Sequence, residues 1–445
     1  MRILLRQPKV RALLRRLLTA SLSAADPAAA VRRAVRCTGR ILTVGAQRYD
    51  LQRYERVVAI GAGKASARMA AALAGILGAH LQDGLVVSPH GLHVPLRRIR
   101  LVTAGHPVPD RAGERAAGRL LALVRDLTER DLLLVMLSGG ASSLLPAPAA
   151  GLTLSDKQRT THLLLRSGAT IQEMNVVRRH LSAIKGGRLA AATCATVANL
   201  ILSDVVGDDL ATIGSGPTVP DPSTFADARA ILRRYGLWRT VPARVRMHLV
   251  RGHCGLLPET PKPGAPLFRR VQNEIIANNR TAVAAVAHSA HQAGLRSLVL
   301  TSSLIGEARE IARAFGALAR EIRASHQPVR PPACLIAGGE LTVSVRGAGR
   351  GGRAQEFALA AASEIAGLPR IWVAAWGTDG TDGPTDAAGA VVDGGTVSRA
   401  NRAGLDPAEA MRQNDSYSFF NRLGGHIVTG PTGTNVNDLY LLLAL

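Results

Sequence analysis

The sequence predicts an α/β protein of two domains, the first built on a doubly wound parallel sheet. Three observations predict it. From residue 53 onward, short β-rich runs alternate with longer helical stretches. Those runs are near-continuously apolar, as expected of parallel strands covered on both faces. Each run also ends in a Gly-, Ser-, His- or Pro-rich loop, where open parallel sheets bind ligands.

In chain order, "RVVAIGAG" reads as a strand and turn, and "KASARMAAALAGILGAHL" as the helix that follows. "DGLVVSPH", "RIRLVTAGHPVPD", "DLLLVMLSGGASS" and "NLILSDVVGDD" read as further strands with their loops. A long helical tract spans 155–193, and Ser155 with Gln158 is expected to form its capping box. "KGGR", 185–188, interrupts it. The Pro- and Gly-rich stretch "RGHCGLLPETPKPGAPLF" reads as a linker, placed at 246–270. It separates a first domain over 1–245 from a second over 271–445. The second domain opens with a helix at "TAVAAVAHSAHQAGL", a strand at "RSLVLTSSL" and a helix at "IGEAREIARAFGALAREIRASH". The alternation in "ELTVSVRG" predicts a strand there and a mixed sheet.

The 445 residues suit two to three domains, and 47% are hydrophobic, enough for a sizeable core. Aromatics make up only 3%, so that core must be built from small aliphatic side chains. The formal net charge is +23. Lysine occurs only at Lys9, Lys64, Lys157, Lys185 and Lys262, so the excess is arginine, scattered along the chain. Without a basic tract or interleaved aromatics, this balance points to compositional bias and anionic small substrates, not to nucleic acid. Four widely spaced cysteines, Cys37, Cys194, Cys254 and Cys334, exclude a zinc ribbon or a disulfide framework and fit a reducing cytoplasm. No apolar run is long enough for a transmembrane helix. The Arg-rich start, acid-free until Asp26, is expected to form a surface amphipathic helix, with a transit peptide as the alternative.

The loops carry the chemistry. "GAGKAS" follows a strand, yet it matches neither G-x-x-x-x-G-K-[ST] nor G-x-G-x-x-G, which leaves Lys64 without a standard role. "SGGASS", Ser138–Ser143, offers two glycines and three hydroxyls to an anion. Asp204, at a strand end in "LSDVVGDD", can accept a proton from a substrate hydroxyl or hold Mg²⁺; Asp208 and Asp209 are turn or cap residues. Arg353, just before a helix in "GAGRGGRAQEF", can clamp a carboxylate or phosphate. "GTDGTDGPTDAAGA" brings Asp379, Asp382 and Asp386 together; the first two suit Mg²⁺, and Asp386 is expected to cap a helix. "TGPTGTNVNDL" is a nucleotide loop or an ordinary turn. This set suits phosphoryl transfer. Acyl transfer lacks its G-x-S-x-G elbow. Hydride transfer lacks the acidic residue expected about 20 positions beyond the glycines, because "DGLVVS" ends at Ser88.

The strings "GAGKAS", "TAGHPVPD", "LSGGASSLLPAP", "SDVVGDDLATIGSGPTVPD", "GGELTV", "GGRAQE", "GTDGTDGPTDAAGA" and "GPTGTNVNDL", in this order, resemble the class II glycerate kinases, the glycerate 2-kinase family. The C-terminal part, from about residue 330, resembles a MOFRL domain. The resemblance implies a Rossmann-like first domain, an α/β second domain and an active site in the cleft between them. It implies ATP-dependent phosphorylation of D-glycerate to 2-phosphoglycerate with Mg²⁺ or another divalent cation. Lys64, Asp204 and Arg353 are then the catalytic groups. Ser138, Gly139, Gly140, Ser142 and Ser143 would bind substrate; Gly61, Gly63, Thr378, Gly433 and Asn435 the nucleotide; and Asp379 and Asp382 the metal. A homodimer is compatible with this reading, and neither a nucleic-acid nor a membrane partner is expected. One departure is Ala354, where the family carries Asn, which removes a side-chain hydrogen bond near Arg353. The competing expectations are an NAD(P)H-dependent hydroxypyruvate reductase and, more distantly, a basic nucleic-acid-binding protein.

Overall fold

The computed structural model describes all residues, 1–445. It forms two compact units. One comprises residues 27–276, the other residues 1–26 and 277–445.

The first unit carries a six-stranded sheet in the order Val271–Ala277, Thr196–Leu202, Asp131–Leu137, Arg56–Ala62, Asp83–Pro89, Arg100–Ala104. The pairings from Thr196–Leu202 across to Arg100–Ala104 are all parallel. All five strands expected in the first domain are therefore present. Asp131–Leu137 is buried at every residue, which is why its sequence shows no alternation. Helices Ser66–Leu77 and Arg111–Arg125 cover the sheet with Ala- and Leu-rich faces. Each fully buried Leu or Val there contributes about 1.5–3 kcal/mol. A small antiparallel sheet, Val35–Thr38, Ile41–Val44 and Gln47–Asp50, precedes the main one and was not anticipated.

Several local expectations are corrected. The tract 155–193 is three helices, Leu154–Arg166, Ile171–His180 and Arg188–Ala191. The first is capped two residues earlier than expected: Thr153 caps it and Asp156 closes the box. Gln158 instead donates to the Pro109 carbonyl at 2.8 Å. The second has its own box, Thr170 with Glu173. Gly186 and Gly187, at φ +60° and +78°, turn the chain before the third, as "KGGR" suggested. The segment read as a linker belongs to the first unit. Its start lies in helix Ala243–His253. Farther on, Glu259 accepts from Phe225 N at 2.9 Å, and Asp221 N donates to the Pro261 carbonyl at 2.9 Å. Pro and Gly shape it, but buried polar anchors hold it.

The second unit has a seven-stranded mixed sheet in the order Arg2–Ile3, His426–Val428, Gly389–Asp393, Ile371–Gly377, Asp438–Ala444, Ala333–Gly339, Arg296–Leu304. Only Arg296–Leu304 with Ala333–Gly339 is parallel; the other pairings are antiparallel. The mixed sheet stands as expected, but "ELTVSVRG" is not its source. The strand ends at Gly339, and the following residues are irregular. The N-terminal segment belongs here, not to the first unit. Arg2 pairs with Val428, and helix Pro8–Ala24 buries Val10, Leu14, Leu17 and Leu18. Trp376 Nε1 donates to Ser21 Oγ at 3.3 Å. The helix is amphipathic as expected, with its apolar face built into the core. No helix is long and apolar enough to cross a membrane.

Candidate functional site

In the first unit, four neighbouring strand ends meet. Arg56–Ala62 lies between Asp131–Leu137 and Asp83–Pro89, so "GAGKAS" and "SGGASS" lie side by side. Lys64 N donates to the Gly139 carbonyl at 2.8 Å, and Ala65 N to Ser138 Oγ at 3.0 Å. Gly63, at φ +136°, presses on that serine: a Cβ there would lie 2.1 Å from Ser138 Oγ. Backbone geometry and close approach both require glycine at 63.

Gly139 and Gly140 are the centre of the arrangement. A Cβ on Gly139 would sit 2.0 Å from Asp204 Oδ2, so the Asp204 carboxylate lies directly on the glycine. A Cβ on Gly140, at φ +84°, would meet the His106 ring at 2.8 Å and the Lys64 side chain at 3.6 Å. Lys64, His106 and Asp204 thus arrive from three strand ends at one dipeptide. Burial lowers the pKa of His106, and the charge of Lys64 lowers it further, so the imidazole is neutral at pH 7. The Lys64 side chain is half-buried. His106 was missed as a site residue, although its place after an apolar run in "TAGHPVPD" was a usable signal.

The three serines of "SGGASS" have different roles. Ser138 is buried and holds the neighbouring turn, and Ser143 Oγ donates to the Gly140 carbonyl at 3.0 Å. Ser138 Oγ is taken up by that turn, while Ser143 lines the cavity beside the loop. Ser142 Oγ sits among Lys185 Nζ at 2.5 Å, an Arg178 guanidinium N–H, and Ser215 Oγ at 3.1 Å. Arg178 and Lys185 were also missed, one hidden among many arginines and the other in a segment read only as a turn. Gly61 lies inside its strand, where a Cβ would be 2.8 Å from the Met136 carbonyl oxygen; it serves sheet packing, not a phosphate cradle. Asp209 makes the expected turn, accepting from Ala211 N at 3.1 Å and Thr212 Oγ1 at 2.6 Å.

In the second unit, Arg353 opens helix Arg353–Glu364. Its Nε donates to Asp438 Oδ2 at 2.5 Å, and an Nη to Glu340 Oε1 at 2.6 Å. Burial alone would lower its pKa; the charges and hydrogen bonds of Asp438 and Glu340 outweigh this and raise it. The guanidinium is therefore already neutralised by two carboxylates, a condition the sequence did not reveal. Burial pushes Asp438 up to about 7, against the pull of Arg353. Asn437 Nδ2 donates to the other Glu340 oxygen at 2.8 Å.

The acidic loop also divides by role. Asp382 is buried at the start of helix Arg353–Glu364, where it accepts from Ala354 N at 3.0 Å, Gln355 N at 2.8 Å and Gln355 Nε2 at 2.9 Å. These three donors make it the anchor of the helix start, and it lines the cavity that Asp379 also faces. Asp386 caps no helix; it accepts from Tyr417 Oη at 2.7 Å and precedes strand Gly389–Asp393. Asp379 is half-buried, accepts from Thr381 N at 3.1 Å, and faces a cavity of about 660 Å³ shared with Arg353. No group of three His, Cys, Asp or Glu side chains is arranged to hold a metal ion. One carboxylate completed by phosphate oxygens and water is nevertheless a normal Mg²⁺ environment, and Asp379 fits it. Thr378 is buried, its hydroxyl donating to the Asn437 carbonyl at 2.7 Å and accepting from Val436 N at 2.8 Å. Gly433 is exposed at φ +75°, and Asn435 Oδ1 accepts from Asn437 N at 3.1 Å. Position 354, where the family carries Asn, is fully buried in the apolar core.

The model of a domain of unknown function (DUF4147) matches residues 13–250, and that of the MOFRL family residues 333–438. A glycerate 2-kinase from Pyrococcus horikoshii is 41% identical over 429 residues, 96% of each chain. The chain belongs to the glycerate 2-kinase family. A crystal structure of a glycerate kinase from Thermotoga maritima superposes with a TM-score of 0.88 at 38% identity, covering 99% of this chain and 100% of that one. A protein from Agrobacterium vitis named a putative hydroxypyruvate reductase is 47% identical over 393 residues, 87% of each chain. The reductase name is given only as putative, whereas glycerate kinase names recur among relatives from Pyrococcus horikoshii, Thermotoga maritima and Homo sapiens.

Proposed function

We propose that this chain phosphorylates D-glycerate on its 2-hydroxyl, using ATP and a divalent cation and giving 2-phosphoglycerate and ADP. One observation carries the reading: Lys64, His106 and Asp204 converge on Gly139–Gly140 at the carboxyl ends of parallel strands. The glycines let the ligand approach the backbone. Asp204 orients the 2-hydroxyl and accepts its proton. Lys64 balances charge on the transferring phosphoryl group. In the second unit, Arg353 offers the nucleotide the N–H groups that Asp438 and Glu340 leave over, with Gly433 and Asn435 as further nucleotide groups there; in the first unit Gly63 takes that role. Asp379 would hold Mg²⁺, which would supply charge neutralisation at the phosphates. The protein acts on free small molecules in the cytoplasm, and a homodimer is compatible with this role.

The reductase reading has one point in its favour, the name of the relative from Agrobacterium vitis. Against it, strand Asp83–Pro89 ends in Ser88 and Pro89, with no carboxylate for a ribose. A coupled ADP-release assay over D-glycerate, L-glycerate, larger sugar acids and glycerol tests the proposal. A parallel assay of NADH and NADPH oxidation with hydroxypyruvate tests its rival. ADP release dependent on D-glycerate supports the kinase. Oxidation of either nicotinamide cofactor without ADP release refutes it.

A further inference from the structure

Beside the "SGGASS" loop lies a cavity of about 440 Å³ with an unusual floor. Lys157, Arg178 and Lys185 all line it, and no Asp or Glu pairs with any of them. Lys185 is only 2% exposed. Its ammonium donates to the Ser142 carbonyl at 3.0 Å and to Ser142 Oγ at 2.5 Å. Lys157 Nζ donates to the carbonyls of Ala147 at 3.1 Å and Leu181 at 3.2 Å, which leaves its third hydrogen unassigned. Arg178 donates to Asn175 Oδ1 at 3.3 Å and to Ser142 Oγ, which leaves most of its fork unassigned. Ser215 Oγ donates to the same Asn175 oxygen at 3.1 Å, tying the ring of groups together.

Three adjacent cations without an acid repel one another, and burial adds a desolvation cost. Burial and then the charge of Arg178 push Lys157 down to about 7, and burial also lowers Arg178. A protein keeps such an arrangement where an anion completes it. The walls at the mouth are apolar: Pro107, Val108, Pro109, Leu154 and Leu165, with Val108 and Leu165 more than half exposed. Such walls exclude water and strengthen pairing with an anion on the floor. Two chain segments connect the cavity to the reaction centre. His106, on Gly140, runs directly into Pro107–Pro109, and Gly139–Gly140 run directly into Ser142–Ser143.

We propose that Arg178 and Lys157, seated on Ser142 and Lys185, bind the carboxylate of the hydroxy-acid substrate. This rests on the kinase reading above, because a hydroxyl presented to Asp204 belongs to a molecule whose other end must be held nearby. The planar guanidinium of Arg178 matches a carboxylate through two parallel hydrogen bonds. Lys185 and Ser142 are positioning residues: they fix the fork of Arg178 and set the floor potential.

The test uses the full chain and its variants Arg178→Met, Lys157→Met and Ser142→Ala, each checked for folding by circular dichroism. Steady-state kinetics are read separately for D-glycerate and ATP. Calorimetric titration of D-glycerate, glycerol and inorganic phosphate into the nucleotide-free protein reads binding without turnover. The expected result is an increase of about 10- to 100-fold in the KM and Kd for D-glycerate in the two cation variants, the size of a lost charge-assisted hydrogen bond. The KM for ATP stays within about twofold, and glycerol, which lacks the carboxylate, does not bind. Ser142→Ala weakens D-glycerate less than either cation variant does. An unchanged glycerate KM, or a rise confined to ATP, overturns the proposal and leaves the kinase reading standing. Phosphate binding in preference to D-glycerate overturns it in favour of a phosphate site. If the wild type binds D-glycerate through Arg178 but releases no ADP, the kinase reading fails and the carboxylate site survives.

Discussion

Gly139→Ala probes the reaction centre with a single methyl group. Gly139 is not among the residues with positive φ, so its backbone accepts alanine and the perturbation is confined to the side chain. The added Cβ would lie 2.0 Å from Asp204 Oδ2 and 2.6 Å from its Cγ. Ordinary contact begins near 3.4 Å, so the carboxylate must withdraw by about 1.4 Å. A misplacement of about 1 Å at a reacting group costs roughly 100-fold in rate. Asp204 is half-buried at a loop, so the displacement is confined to the strand ends and a thermal melt reads any stability cost separately from the rate. The assay is coupled ADP release at saturating D-glycerate and ATP, with a thermal melt on the same sample. A kcat about 100-fold down with an intact melt supports the placement of Asp204 at the substrate hydroxyl. A kcat within about threefold of wild type refutes it, because the carboxylate cannot remain where it is in the variant.

Three further outcomes follow from the same geometry. Lys64→Ala lowers kcat by orders of magnitude with an unchanged melt, because the half-buried side chain lies against Gly140 at the strand ends. Asp382→Ala strands the N–H groups of Ala354 and Gln355 and the Gln355 amide, so chemical denaturation should show a loss of about 3 kcal/mol; selective loss of Mg²⁺ dependence with full stability would contradict its structural role. Lys157→Met stabilises the ligand-free protein at neutral pH. Lys157 has a folded pKa near 7 against 10.5 unfolded, so the unfolded chain binds the extra proton between those values and stability rises with pH across that window. Denaturation of wild type and variant at several pH values should show that slope in the wild type and its reduction in the variant.

The five parallel strands of the first unit were legible because burial on both faces leaves an unbroken apolar run, as in Asp131–Leu137. Features set by distant partners were not. The first 26 residues join the second unit through Arg2 pairing with Val428 and Ser21 meeting Trp376, contacts that no local pattern encodes. The stretch near Glu259 and Pro261 has the composition of a linker, yet it is fixed by Phe225 and Asp221. In the candidate site, Lys64, Asp204 and Gly139 were legible as strand-end residues. What each hydroxyl or carboxylate already binds was not. Ser138, Thr378 and Asp382 look like ligand groups in sequence, and each binds backbone donors or acceptors. Arg178 and Lys185 gave no signal because their significance lies in the absence of an acid beside them.

The central claim is that phosphate arrives on the 2-hydroxyl of a three-carbon acid. Its most direct measurement is NMR of the product formed from D-glycerate and ATP, with phosphorus–proton coupling read at each carbon. Coupling to the single proton on C2, the signature of 2-phosphoglycerate, is the expected result. Coupling to the two protons on C3, or no phosphorylated product at all, would contradict it.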